Sequence, residues 1–204
     1  LIQWQSFGLR KTPLIGLLKK TGPSIRPYRS VGEFNFHRGM AVSGVKKNQA
    51  FDFFISSRML SVNLGLSAVN NELGVTSFNT NGYHRTGDEL QKRNNFHQWT
   101  TGFRYTVRLK NFKGGFNSVA YLFSKPLIVS SKPYDLYSIN STKWLNSSVD
   151  FSLFWRGWHF FSEQAIDLKG SYAGLLGGLV SLSKQVEIGM VGRALTAKFQ
   201  SLYS

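Results

Sequence analysis

Residues 98–109 read QWTTGFRYTVRL, and this stretch decides the fold class. Trp99, Phe103, Tyr105, Val107 and Leu109 fall on one parity, while Gln98, Thr100, Arg104, Thr106 and Arg108 fall on the other. A period of two places one set on each face of a β-strand. The apolar set is rich in aromatics and the run is long. It has the length and alternation of a strand that crosses an outer membrane at a tilt.

The pattern recurs on either side. From Ser147 to Trp158, Val149, Phe151, Leu153 and Trp155 alternate with Ser148, Asp150, Ser152 and Arg156. FDFFISSRMLSVNLGL (51–66) reads as one long strand or a strand pair. FNSVAYLFS (116–124), FFSEQAIDL (160–168), SYAGLLGGLVSL (171–182) and VEIGMVGRAL (186–195) are each of strand length. Asn70, Asn71 and Gly74 signal a turn, and Lys110–Gly115 a hairpin turn. Residues 125–145 read as a longer loop, and 82–95 as a polar loop with a short helical turn in DELQKR. Strands at such spacing, separated by turns, predict an antiparallel meander.

A soluble sandwich produces the same alternation with its apolar face inward. Two features favour a membrane barrel instead. The apolar faces end in aromatics such as Trp99 and Trp155, and the polar faces hold Arg104, Arg108, Asp150 and Arg156, which suit a wet lumen. The glycines of AGLLGGL also fit bends in a closed, tilted barrel. The expected fold is therefore all-β, an antiparallel meander forming part of an outer-membrane β-barrel, with residues 49–204 as a single domain. Residues 1–48 form a basic N-terminal strand and loop segment, for which an inward-folded or plug-like position is expected. The abrupt start at LIQWQ and end at FQSLYS suggest a piece of a longer chain.

Composition agrees. The 204 residues include 17 Phe, 8 Tyr and 5 Trp, which suits aromatic girdles at two interfaces. No run reaches the about 18 apolar residues of a transmembrane helix. The absence of cysteine excludes a disulfide scaffold and a thiolate metal site. The formal charge of +15 favours anionic partners. Residues 1–48 contribute much of it, with Glu33 their single acid.

Arg26, Arg29 and Arg38, beside Tyr28 and His37, form the foremost candidate anion or nucleic-acid site, because arginine forks match phosphates bidentately. Pairing with Glu33 and backbone carbonyls to pin a loop is the competing role. Arg104 and Arg108 join the candidates as lumen cations. His84, Arg85, Asp88 and Glu89 lie close together but match no ligand spacing such as HExxH, so a solvated loop is expected. The 4 His are scattered, and neither GxSxG nor a P-loop occurs. No catalytic residue, metal or cofactor is expected.

SFGLRKTPLIGLLKKTGPSIRPYRSVGEFNFHRG (6–39), GYHRTGDEL (82–90), SEQAIDLKGSYAGLLGGL (162–179) and GRALTAKFQSLYS (192–204) carry a family resemblance. The chain resembles the β-rich region of bacterial outer-membrane-type proteins with helix-hairpin-helix modules near their N-termini, labelled by analogy with competence-type DNA uptake. The modules themselves are not in this sequence, so the resemblance carries no DNA-binding residue onto it. It implies the outer membrane of a Gram-negative cell, with outer-membrane lipid and nucleic acid or an anionic solute as partners. The alternative reading is a soluble or periplasm-facing nucleic-acid-binding β module, with bases stacking on Phe103 or Tyr105. That requires the aromatics to face solvent.

Overall fold

The structure, a computed structural model, describes residues 36–66, 72–79, 85–128, 139–183 and 186–202. Its elements are β1 (Gly39–Lys46), β2 (Gln49–Leu60), β3 (Val62–Leu66), β4 (Leu73–Phe78), α1 (Gly87–Gln91), β5 (Phe96–Arg108), β6 (Phe112–Phe123), β7 (Lys143–Trp155), β8 (Trp158–Asp167), β9 (Tyr172–Ser181) and β10 (Glu187–Leu195). Eight strands form one sheet in the order β1-β2-β5-β6-β7-β8-β9-β10, and β3 and β4 form a separate hairpin. Every neighbouring pair is antiparallel. The all-β antiparallel meander expected from the alternation is the fold. Among the described residues, β1 and β10 are its two edges.

The two ends of the sheet differ. Tight turns at Lys47–Asn48, 109–111 and Arg156–Gly157 lie at one end. The long connections 61–95 and 124–142 lie at the other. Arg156 (φ 46°) and Gly157 (φ 83°) both have positive φ. This is the twist that joins right-handed strands through two residues. Arg156 accepts the unfavourable conformation with its guanidinium 5.3 Å from the Trp155 ring. It therefore belongs to the turn and not to the polar face of a strand, as the alternation suggested.

Two other turn assignments shift. The turn after β5 is shorter than Lys110–Gly115, because β6 starts at Phe112 and takes Gly114 and Gly115 into the ladder. Their missing side chains make room for neighbours. A Cβ on Gly115 would stand 2.6 Å from Asp150 Oδ1, and one on Gly114 3.0 Å from the Phe112 ring. Gly74 likewise lies within β4, opposite Gly65. A Cβ there would stand 2.6 Å from the Pro126 carbonyl oxygen. Asn70 and Asn71 lie outside the described residues.

The helical turn read in DELQKR is α1. Thr86 Oγ1 accepts from the Glu89 amide (3.3 Å), and Glu89 Oε2 accepts from the amides of Arg85 (2.7 Å) and Thr86 (3.2 Å). This capping box satisfies donors that the short helix leaves open.

The apolar core sits at the long-loop end. Leu60, Phe96, Val119, Tyr121, Phe123 and Trp144 rise from the sheet to meet Val62 and Val75 of the hairpin and Leu127 and Ile139 of the β6–β7 connection. The hairpin is fastened on both sides. Asn95 both donates to and accepts from the Val62 backbone at 3.0 Å. Val75 donates to Pro126 O, and Ile128 donates to Val75 O, each at 2.9 Å.

Candidate functional site

Register assigns every side chain of the sheet to one of two faces, since residues opposite each other share a face. One face carries Phe51, Phe53 and Ile55 of β2, Trp99, Phe103, Tyr105 and Val107 of β5, Phe116 and Leu122 of β6, and Val149, Phe151, Leu153 and Trp155 of β7. The other carries Ser56, Gln98, Thr100, Thr106, Asn146, Ser148 and Ser152. Burial runs opposite to a soluble sheet. Gln98 and Thr100 are 0% and 1% exposed, whereas their neighbours Trp99 and Phe103 are 43% and 40% exposed. Along β7, Ser148 is 3% exposed and Val149 55%. Hereafter the buried, polar face is the inner face and the apolar one the outer face.

The inner face is itself divided. Towards the long-loop end its rows are rich in aromatic and apolar groups: Leu60 opposite Phe96, then Thr100, Tyr121 and Trp144. This half lies beneath the β3–β4 hairpin. Towards the tight turns the rows become polar. One runs Ser43, Asp52, Arg104, Asn117, Ser148 across β1, β2, β5, β6 and β7. The next runs Thr106, Gly115, Asp150, Glu163, and the last sets Arg108 opposite Lys113 and Lys113 opposite Ser152.

Neutral donors hold the carboxylates here. Ser43 Oγ donates to Asp52 Oδ1 (2.6 Å), and Asn117 Nδ2 donates to Asp150 Oδ1 (2.8 Å) and to Ser148 Oγ (3.3 Å). Lys113 is half-buried and lies within electrostatic reach of Arg104, Arg108 and Asp150. Arg104 Nε is buried with no hydrogen-bond partner among the described residues.

The arginines singled out in the sequence do not form one site. Arg26 and Arg29 lie outside the described residues. Arg38 is exposed just before β1, its amide donating to Ser56 Oγ (3.1 Å) and its guanidinium 5.4 Å from the Phe36 ring. Its carbonyl accepts from Ser57, which pairs with Trp99. Arg108 lies further along β5 towards the tight-turn end, on the order of 30 Å from that level at strand rise. Arg58 joins Arg38 instead, over the same Phe36 ring and donating to Phe36 O. His37 packs 5.4 Å from Phe54. Desolvation first, and the Arg58 charge second, hold its pKa below the ordinary histidine value.

Lys113 was missed in the sequence because it was assigned to a turn. The signal that finds it is register: a tight turn at 109–111 sets it opposite Arg108. Two serine–histidine pairs also went unread. Ser152 Oγ and His159 Nε2 are 2.7 Å apart on the inner face, and Ser57 Oγ and His97 Nε2 are 2.7 Å apart on the outer face. Ser152 lies inside a strand paired on both sides, so the ladder takes its neighbouring amides, and Ser57, one residue beyond the β1–β2 register, gives its own amide to Arg38 O. We read both as structural polar pairs. Among the described residues, no group of His, Asp or Glu converges as a metal site.

No family model, curated protein or solved structure matches this chain.

Proposed function

We propose that this chain is the strand-forming part of an outer-membrane β-barrel of a Gram-negative cell, its outer face against lipid and its inner face towards an aqueous lumen. The observation that carries this reading is the inverted burial of the sheet, with Ser, Thr, Asn and Gln shielded and Trp, Phe, Leu and Val exposed. In water, a continuous surface bearing Phe51, Phe53, Trp99, Phe103, Leu153 and Trp155 is unfavourable and recruits other molecules. Against hydrocarbon that cost is absent, and alternation of apolar-out with polar-in is what lipid on one side and water on the other select. Strand length fits. β5 and β7 each have 13 residues, roughly 40 Å along their own axes, against a hydrocarbon core of about 30 Å.

Closure follows as a requirement of this reading. Unpaired backbone groups cannot face lipid, so the outer edges of β1 and β10 must be paired in the membrane. In such barrels the short turns face the periplasm and the long loops the exterior. The polar half of the inner face then opens to the periplasm, and the β3–β4 hairpin covers the half towards the exterior.

Mechanistically, Arg104, Arg108 and Lys113 lower the electrostatic barrier for anions along the inner face. The role is structural or in transport. A link to DNA or anionic-solute uptake rests on the helix-hairpin-helix resemblance and on the charge of +15. The stacking-platform alternative is weakened by the faces: Phe103 and Tyr105 are outward, whereas Arg104 and Arg108 are inward, so aromatics and phosphate-binding cations do not share a surface. Cell fractionation tests the proposal. The protein is expected in the outer-membrane fraction, released by detergent, and its recovery in the soluble extract would overturn it.

A further inference from the structure

We infer that Arg104, Arg108 and Lys113 form a discrete site for a phosphate-type oxyanion at the tight-turn mouth of the inner face. The inference extends the barrel reading by naming what the lumen recognises. Three observations converge on it. Lys113 stands directly opposite Arg108, and Arg104 lies on the same face one row beyond Thr106. Like charges opposite one another in a ladder destabilise it, and more so where they are half-buried. An anion bridging them removes that cost. Second, the neighbouring carboxylates are engaged by neutral donors, Asp52 by Ser43 and Asp150 by Asn117. Third, Arg104 Nε is a buried donor with no hydrogen-bond partner among the described residues. A buried orphan donor on a charged group is costly, and an oxyanion is the acceptor that fits it.

The chemistry specifies the class. Two guanidinium forks and one ammonium offer planar, bidentate donors and a point charge, the set that matches tetrahedral phosphate oxygens. Access is graded. Arg108 is exposed, while Lys113 and Arg104 are half-buried, so a solute meets Arg108 first and is drawn inward. Asp150 reaches from β7 over Gly115 of β6, where Asn117 holds its Oδ1, so it bounds the site on that side and keeps an anion towards Arg104 and Arg108 of β5.

The test is calorimetric titration of the full chain in detergent micelles at low ionic strength, with inorganic phosphate in one arm and a thymidine dinucleotide in the other. Saturable binding in the first arm alone marks a free phosphate or monoester site. Saturable binding in the second marks a phosphodiester site, and either supports the inference. Arg104→Gln/Arg108→Gln/Lys113→Gln should weaken binding by about tenfold or more. Lys47→Gln/Lys143→Gln/Lys198→Gln, which removes the same charge from exposed positions, should leave it unchanged. If the first variant does not fold, Arg108→Gln alone, at an exposed position, should still weaken binding several-fold. Absence of saturable binding in both arms, or equal loss in the surface-lysine variant, would overturn the site. Micelle binding does not depend on where the protein resides in the cell. Its failure is therefore separable from failure of the barrel reading, which fractionation decides.

Discussion

Ser152 and His159 hydrogen-bond at 2.7 Å on the inner face, while their immediate neighbours Leu153 and Trp158 are exposed on the outer one. A hydroxyl–imidazole pair is shielded where a soluble sheet would place leucine and tryptophan. Ser152→Ala should cost about 1 kcal/mol, the usual net value of one hydrogen bond. Leu153→Ser, one position along and facing outward, should destabilise the lipid-embedded protein while leaving the Ser152–His159 pair intact. Unfolding in urea from detergent and from liposomes measures both.

Charge on the outer face gives a sharper contrast. Phe103→Arg should destabilise the protein by roughly 2–4 kcal/mol in a bilayer if the site lies near the midplane. In a water-facing sheet the same change would be nearly neutral, since Phe103 is already 40% exposed. Refolding into liposomes distinguishes the two outcomes.

Phe161 of β8 faces Gly177 of β9, and its ring fills the space where a Cβ would stand. Phe54 covers Gly102 in the same way across β2 and β5. Gly177→Ala should therefore cost about 1–3 kcal/mol through overpacking, although alanine has the better strand propensity. Gly177→Ala combined with Phe161→Leu should recover part of that loss. Denaturant midpoints of the two variants test the pairing.

The β3–β4 hairpin is held to the sheet by apolar contact. Phe96 is 0% exposed and stands 5.7 Å from Phe123 and 5.9 Å from Phe78 between ring centroids. Phe96→Ala should cost about 3–5 kcal/mol and release the hairpin. Amide exchange at Val75 and Ile128, whose hydrogen bonds join β4 to the β6–β7 connection, should then accelerate while exchange in β7 and β8 does not.

His37 gives the pH dependence. Its folded pKa is lowered, by desolvation and then by Arg58, so the unfolded chain takes up the proton first. Its contribution to stability is complete above the ordinary histidine value and is lost as pH falls through the lowered folded value. The protection factor of the Ser57 amide, which bonds to Arg38 O at 2.9 Å, should fall on acidification across this range. His37→Gln should remove that dependence.

The strands were legible where alternation was strong. Around Trp99–Leu109 and Val149–Trp155, a period of two fixed both the element and its faces, because only Thr101 and Phe154 break the separation of apolar from polar residues. β1 was less legible. GMAVSGVK carries small residues and weak alternation, and it is a strand because β2 templates it, with Phe51 opposite Gly44. The sheet thus includes residues 39–46, within the basic segment read over 1–48. The hairpin's docking is a tertiary event with no local signature. Of the candidate site, Arg104 and Arg108 were readable by parity, but Lys113 needed the turn length, which one residue's error changes to the opposite face.

The barrel account stands most directly on which tryptophans touch lipid. Single-tryptophan versions of the full chain, retaining either Trp99 or Trp144, can be reconstituted in liposomes whose acyl chains carry bromine. Trp99 is 43% exposed on the outer face and Trp144 is 1% exposed within the core. The account predicts strong quenching of Trp99 by brominated chains and little quenching of Trp144. Quenching of Trp99 by aqueous iodide but not by brominated lipid would contradict it.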